Sequence, residues 1–299
     1  MANDGRARAT IIGLSAVLMW ATLGLFGAGS GQVPPFLLNA ICFGISGVLA
    51  LVLVTVTGKL ERLKQPPKVW VFGTLGLFGF HFFYFTAIRN APPVDANLIN
   101  YTWPLLIVVF SAFLPGENLR VHHVIGTVLG LLGAALLITG GDGISFSGGS
   151  AIGYGAAVLS SLFWSTYSVV SRRLGQVPTE AVAGFCILTS LLSALCHVLW
   201  EQTIWPQGAL EWGAVIALAL FPVGLAFFTW DIGVKRGDIQ VLGAAAYSAP
   251  LLSTLLLIAF GFGALTLPVI IACLAISLGA VIAAKDMLFG KSAPGAAAE

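Results

Sequence analysis

Runs of about 20 mostly apolar residues recur along the whole chain, separated by short stretches rich in charge, proline or glycine. Ten stand out, at about 10–29, 35–57, 69–88, 94–114, 122–140, 150–171, 181–200, 211–233, 240–260 and 265–284. Each has the length at which an α-helix crosses a bilayer, and none alternates with the period of a barrel strand. The expected fold is therefore an all-α membrane protein of ten transmembrane helices. Only 9% of the 299 residues are charged, against about 25% in soluble domains. That excludes a soluble globular enzyme, a nucleic-acid binder and a disordered scaffold.

The cations orient the spans. With the N-terminus in the cytoplasm, Arg6, Arg8, Lys59, Arg62, Lys64, Lys68, Arg120, Arg172, Arg173, Lys235, Arg236, Lys285 and Lys291 fall inside. These are thirteen of the fourteen Lys and Arg, and Arg89 alone falls outside. Such a bias fits ten spans with both termini cytoplasmic. The first apolar run is longer than the 7–15 residues of a signal-peptide core, which argues against cleavage. Cys42, Cys186, Cys196 and Cys273 all lie within apolar runs and read as small packing residues, not as a disulfide framework or a metal site.

The chain repeats itself. Gly31-Gln32-Val33-Pro34 recurs as Gly175-Gln176-Val177-Pro178, an offset of 144 that also carries Trp20 onto Trp164. Tyr101 and Pro104-Leu105-Leu106 match Tyr247 and Pro250-Leu251-Leu252 at an offset of 146. The matches divide the chain into residues 1–145 and 146–299, with five spans in each half. An odd span count forces the halves to opposite orientations. Inverted repeats are the mark of secondary transporters, whose substrate site lies at midplane between the halves. A duplicated channel or membrane enzyme is the competing reading.

The segment from Asn97 through Asn100-Tyr101-Thr102-Trp103-Pro104 to Gly116-Glu117 resembles the fourth-span signature of the drug/metabolite transporter superfamily, EamA-type branch. Asn100 to Pro104, Ala9 to Leu14 with Trp20, Phe163 to Tyr167 and the stretch around Trp230 to Gly237 resemble bacterial aromatic amino acid exporters of the YddG type. One departure is visible, since the position matching Glu117 is Gly263. The resemblance implies a monomeric inner-membrane exporter of tryptophan, phenylalanine, tyrosine and other neutral amino acids. It implies a central cavity open to one side at a time, and no cofactor.

Candidate substrate-binding residues follow from polarity and aromaticity at membrane depth. Trp20, Trp103 and Trp164 lie within spans and either pack or form an aromatic wall. Asn97, Asn100 and Tyr101 share one helical face; they either bond neighbouring helices or hold the amino and carboxylate groups of a substrate. His81 and Tyr84 stand one turn apart in the third span. His81 either serves the substrate and titrates, or sits neutral on a neighbouring helix. Tyr167 and Tyr247 complete the set, and the repeat-matched Pro104 and Pro250 are candidate hinges. Trp70, Trp200, Trp205 and Trp212 read as an interfacial belt. Asp231 and Lys235 read as a structural pair. Arg89 and Asp95 read as an external surface feature or as a gate, and His122 and His123 as facing the interface. Gly126/Gly130, Gly149/Gly153 and Gly73, Gly76 and Gly79 read as close-packing faces.

The chain carries no Walker A string and no HExxH, and no acid cluster sits at membrane depth to hold a cationic drug. A pore would show charged rings or a carbonyl filter, and neither pattern is evident. The nearly uncharged spans favour neutral or zwitterionic cargo, exported by alternating access. Carriage of another metabolite or drug in the same fold, or a channel, is the alternative.

Overall fold

The computed structural model describes residues 2–140, 150–259 and 264–289. All regular structure among them is helical. The chain runs through α1 (Ala2–Trp20), α2 (Leu23–Gly29), α3 (Pro35–Val56), α4 (Pro67–Asn90), α5 (Pro93–Asn100), α6 (Trp103–Ser111) and α7 (Val121–Thr139). It continues through α8 (Ala151–Arg173), α9 (Ala181–Trp200), α10 (Gly208–Leu220), α11 (Ala226–Arg236), α12 (Ile239–Ala245), α13 (Ser248–Ala259), α14 (Leu267–Ala283) and α15 (Lys285–Phe289). Eight helical segments are long and apolar enough to cross a membrane. The chain is thus a multi-pass membrane protein. Of the other two long helices, α8 is diluted by serines and α14 has only 17 residues.

Local sequence sets these boundaries. The pairs Pro34-Pro35, Pro66-Pro67 and Pro92-Pro93 each place one proline at the N-cap and one at the first helical position of α3, α4 and α5. There the fixed φ suits a helix start and the missing N–H costs nothing. Gly140 ends α7 with φ of 65°, the left-handed cap that glycine adopts without strain.

Four breaks fall inside long apolar runs. α1 and α2 part at Ala21-Thr22, α5 and α6 at Tyr101-Thr102, and α12 and α13 at Ala246-Tyr247. A single π-turn, Phe221–Leu225, separates α10 from α11. A backbone interrupted at membrane depth is tolerated where it faces protein or a wet cavity, and all four breaks surround the cavity described below.

Small residues let the helices close up. A Cβ on Gly126 would meet the Gly279 carbonyl and Ala283 of α14. Gly73, Gly76 and Gly79 receive the rings of Phe185, Tyr167 and Phe163. These are the close-packing faces expected from sequence; Gly153 meets Asn90 and Ala91, while its proposed mate Gly149 lies outside the described residues, as does Lys291. Cys42, Cys186 and Cys196 are buried and unbridged.

Two charged readings are corrected. Asp95 is not a surface residue: it is buried, and the Tyr154 hydroxyl donates to it at 3.1 Å. The loop it borders is covered by α8, which the local sequence cannot show. His123 does not face the interface either. It is buried, and its Nδ1 accepts the Arg120 amide at 3.2 Å in a capping box at the start of α7. Asp231 and Lys235 do pair, at 2.8 Å and almost fully buried.

Candidate functional site

A cavity of about 650 Å³ lies among α1 to α8, α10, α11 and α13. Its floor is aromatic. Trp20, Trp103 and Trp164 line it, with ring centroids 5.7 to 6.2 Å apart. Trp230 stands behind them, fully buried and 5.0 Å from Trp20. Two of the indole donors are satisfied: Trp20 Nε1 donates to the Pro222 carbonyl and Trp230 Nε1 to Ser168 Oγ, both at 3.0 Å. Pro222 sits in the π-turn, where a carbonyl lies free of the regular helical ladder. Trp20 and Trp164 each pack against other rings and also face the cavity.

The walls carry the polar groups. His81, Tyr84, Asn97, Asn100 and Tyr101 all line the cavity. The Tyr84 hydroxyl donates to Asn97 Oδ1 at 2.8 Å. Ser160 Oγ of α8 lies 3.0 Å from both Asn100 Oδ1 and the Phe80 carbonyl. His81 Nδ1 is 2.8 Å from the Leu77 carbonyl of its own helix, not from a neighbouring one, and Phe43, Phe80 and Phe85 surround its ring. Among the described residues no Asp, Glu, Lys or Arg lines the cavity. It suits a ligand whose charges are offset by dipoles and whose body is apolar or aromatic.

Two candidates do not belong to it. Tyr167 is buried between Trp164 and Phe72, with centroids at 5.4 and 5.7 Å, and fills the hollow left by Gly76. Tyr247 is fully buried against Gly130, and its hydroxyl accepts the Leu105 amide at 3.2 Å. Pro250 reaches the cavity and Pro104 does not; each stands in the first turn after a break.

Several lining residues escaped sequence reasoning. Asn39, Ser253 and Thr254 also line the cavity. Asn39 was the legible one, an amide within an apolar run; it donates to Ser193 Oγ at 2.8 Å. Below the tryptophan floor, toward the N-terminal end of α1, lies an ion network that the Gly-Glu pair alone did not disclose. Glu117 is nearly buried and accepts from Arg6 at 3.0 Å and from Arg172. Arg6 also reaches Asp238 at 3.1 Å, and Arg172 donates to the Val234 and Gly237 carbonyls at 2.9 and 2.8 Å. The opposite flank of the cavity reaches Gly31, Val33 and Pro35 in the α2–α3 connection.

A second carboxylate clasp lies beyond that flank. Glu201 accepts the Phe36 and Leu37 amides, each at 3.1 Å, together with Arg89 and His197. Burial pushes its carboxyl up, but His197, the two amides and Arg89 together hold it below the ordinary glutamate range.

A helical multi-pass protein with an uncharged aromatic cavity, reached along one flank and underlain by ion pairs on the other, has the build of a membrane transporter. The profile of the EamA-like transporter family matches residues 7–139 and again 151–284, and the chain belongs to that family. Its relatives include the aromatic amino acid exporter YddG of Ancylobacter novellus, 52% identical over 280 residues that cover 93% of this chain and 97% of the relative. YddG of Escherichia coli is 24% identical over 265 residues, covering 84% and 88% of the two chains. The pseudopaline exporter CntI of Pseudomonas aeruginosa is 25% identical over 189 residues, covering 62% and 64%. A crystal structure of a protein 52% identical in sequence superposes with a TM-score of 0.89 over 93% of this chain and 98% of that one.

Proposed function

We propose that this protein exports aromatic and other neutral amino acids from the cytoplasm across the bacterial inner membrane by alternating access. The observation that carries the reading is the cavity itself: three tryptophans for a floor, amide, hydroxyl and imidazole groups on the walls, and no charged side chain among its described lining. The exporter function named for the 52% identical relative supports it. In this reading the chain crosses ten times as two inverted five-helix halves, with both termini cytoplasmic. The ring of the substrate stacks on Trp20, Trp103 and Trp164. Asn97, Asn100, Tyr101, Tyr84 and His81 offer hydrogen bonds to its zwitterionic end. Tyr167 and Tyr247 act through packing. Pro104 and Pro250 mark hinges beside the broken helices.

The test is counterflow in liposomes holding the purified protein. Unlabelled tryptophan is loaded inside, trace labelled tryptophan is offered outside, and the pH gradient is varied. Transient accumulation of label is expected. Leakage that never overshoots would mean a channel, and a lack of uptake by folded protein would send the assignment to another metabolite.

A further inference from the structure

The proposed amino acid substrate carries a cation, yet no acidic side chain lines the cavity among the described residues. Something else must receive the ammonium group. The break between α5 and α6 supplies it. In a continuous helix the carbonyl of Asn100 would pair with the N–H of residue 104, and that of Tyr101 with the N–H of residue 105. Residue 104 is proline and has no N–H. The Leu105 N–H is present, but it donates to the Tyr247 hydroxyl at 3.2 Å. The last amides before the break close on Asn97 and Ile99. Two successive carbonyls are thereby released from the helical ladder at the C-terminal end of α5, where the helix dipole favours a cation. Both Asn100 and Tyr101 line the cavity. Trp103, two residues on, lines it too, which places an aromatic surface beside the carbonyl pair.

We propose that the Asn100 and Tyr101 carbonyls form the seat for a primary ammonium group, and that Tyr247 is a positioning residue that keeps the seat open by holding the Leu105 N–H. Tyr247 never touches the substrate. It is fully buried, pinned against Gly130 on its ring side, and reaches across from the second half of the chain to fix a break in the first. Tyr101, its partner in the repeat, faces the cavity instead, so the two halves contribute one seat and not two. A primary ammonium has three N–H donors. Two go to the carbonyls, and the third is left for a side-chain oxygen or water. A ligand lacking the amine gains nothing from the seat.

The inference rests on the aromatic amino acid reading, and the experiment separates the two. Binding of labelled tryptophan to the purified full-length protein is measured by scintillation proximity. Tryptamine, which keeps the amine, and indole-3-propionate, which keeps the carboxylate, serve as competitors. Tyr247→Phe retains the ring against Gly130 and frees the Leu105 N–H to close on Tyr101. It is expected to weaken tryptophan and tryptamine alike by about tenfold, the scale of a hydrogen bond to a charged group, while indole-3-propionate changes by less than about twofold. Pro104→Ala restores an N–H opposite the Asn100 carbonyl and is expected to give the same pattern by a separate route, which keeps the test intact if Tyr247→Phe does not fold. Parallel weakening of all three ligands, or no change in any, would overturn the seat. Tryptophan binding to the wild type without competition by tryptamine would do so as well and leave the substrate reading standing. Competition-grade binding of labelled tryptamine that is sensitive to Tyr247→Phe, with none of tryptophan, would keep the seat and sink the amino acid reading.

Discussion

Replacing Glu117 by glutamine should loosen the end of the molecule that lies below the tryptophan floor. The Glu117 side chain is only 5% exposed and serves two guanidinium groups, Arg6 and Arg172. A hydrogen bond to a charged group contributes about 1.5–3 kcal/mol. Glutamine keeps one acceptor oxygen and loses the charge. Arg6 still has Asp238, and Arg172 still has two backbone carbonyls, so neither cation is stranded. The net loss is then on the order of 1.4 kcal/mol, a tenfold shift toward a state open at this end. A minor state near 1% would rise to about 10%. The assay is the rate at which a water-soluble maleimide labels a cysteine introduced at Leu114, itself 5% exposed and three residues from Glu117, in a background lacking the native cysteines. A second cysteine at Ser253, on the cavity wall, is the control. Labelling at 114 should accelerate about tenfold, since the rate follows the open population. Labelling at 253 should change by less than twofold, because the major state remains major. An unchanged rate at 114, or equal acceleration at both sites, would refute the idea that these ion pairs hold this end shut.

Trp103→Ala should weaken tryptophan binding by about two- to tenfold beyond its effect on threonine, the scale of one aromatic pair; equal effects in competition assays would mean that Trp103 only packs. Glu201→Gln should lower thermal stability at pH 7 by about 1–3 kcal/mol, the scale of its lost charged hydrogen bonds. Its folded pKa lies below the unfolded value, so that stabilisation is full above the unfolded pKa and fades as the pH falls through the folded one. Melting curves of wild type and variant should therefore begin to converge as the pH falls below the ordinary glutamate range and meet once it passes the depressed folded pKa, and a gap that does not narrow with acidification would rule out the charge as its source. Gly126→Ala places a methyl against the Gly279 carbonyl and the Ala283 amide, backbone atoms that cannot rotate away. A loss of about 1–3 kcal/mol is expected by the same measurement.

The helices were legible because a bilayer asks for one simple thing, an uninterrupted apolar run of sufficient length. The breaks were legible only where proline announced them. Pro104 and Pro250 stand two and three residues past the turns at 101–102 and 246–247, but nothing in Trp20-Ala21-Thr22 breaks a helix by itself. That interruption comes from packing: Trp20 is held against Trp164 and Trp230 and tied to a carbonyl 202 residues away. The partners of Asp95 and Glu117 were hidden for the same reason, being supplied from positions 59 and 55 or more residues distant.

Tyr101 and Tyr247 show how a repeat misleads. They match by sequence, and both were expected at the site. Tyr247 buries its ring in the hollow that Gly130 leaves on α7. The residue matched to Gly130 at the same offset of 146 is Ile276, fully buried on α14. It offers Tyr101 no hollow, and Tyr101 turns to the cavity. The same divergence governs the two ends of the molecule. At offsets of 144 to 146, the positions matched to Arg6, Glu117, Arg172 and Asp238 are Ser150, Gly263, Ala28 and Pro92. Gly263 lies outside the described residues, but no charge stands at any of the four. An ion clasp like the one beneath the tryptophan floor therefore has no counterpart among the matched positions. Two halves related by duplication thus hold their ends by unequal means. The far end is held instead by the Glu201 clasp, which draws on unmatched positions, so removing the Glu117 charge weakens one end alone, and a change as small as one carboxylate to one amide is expected to register in the labelling rate.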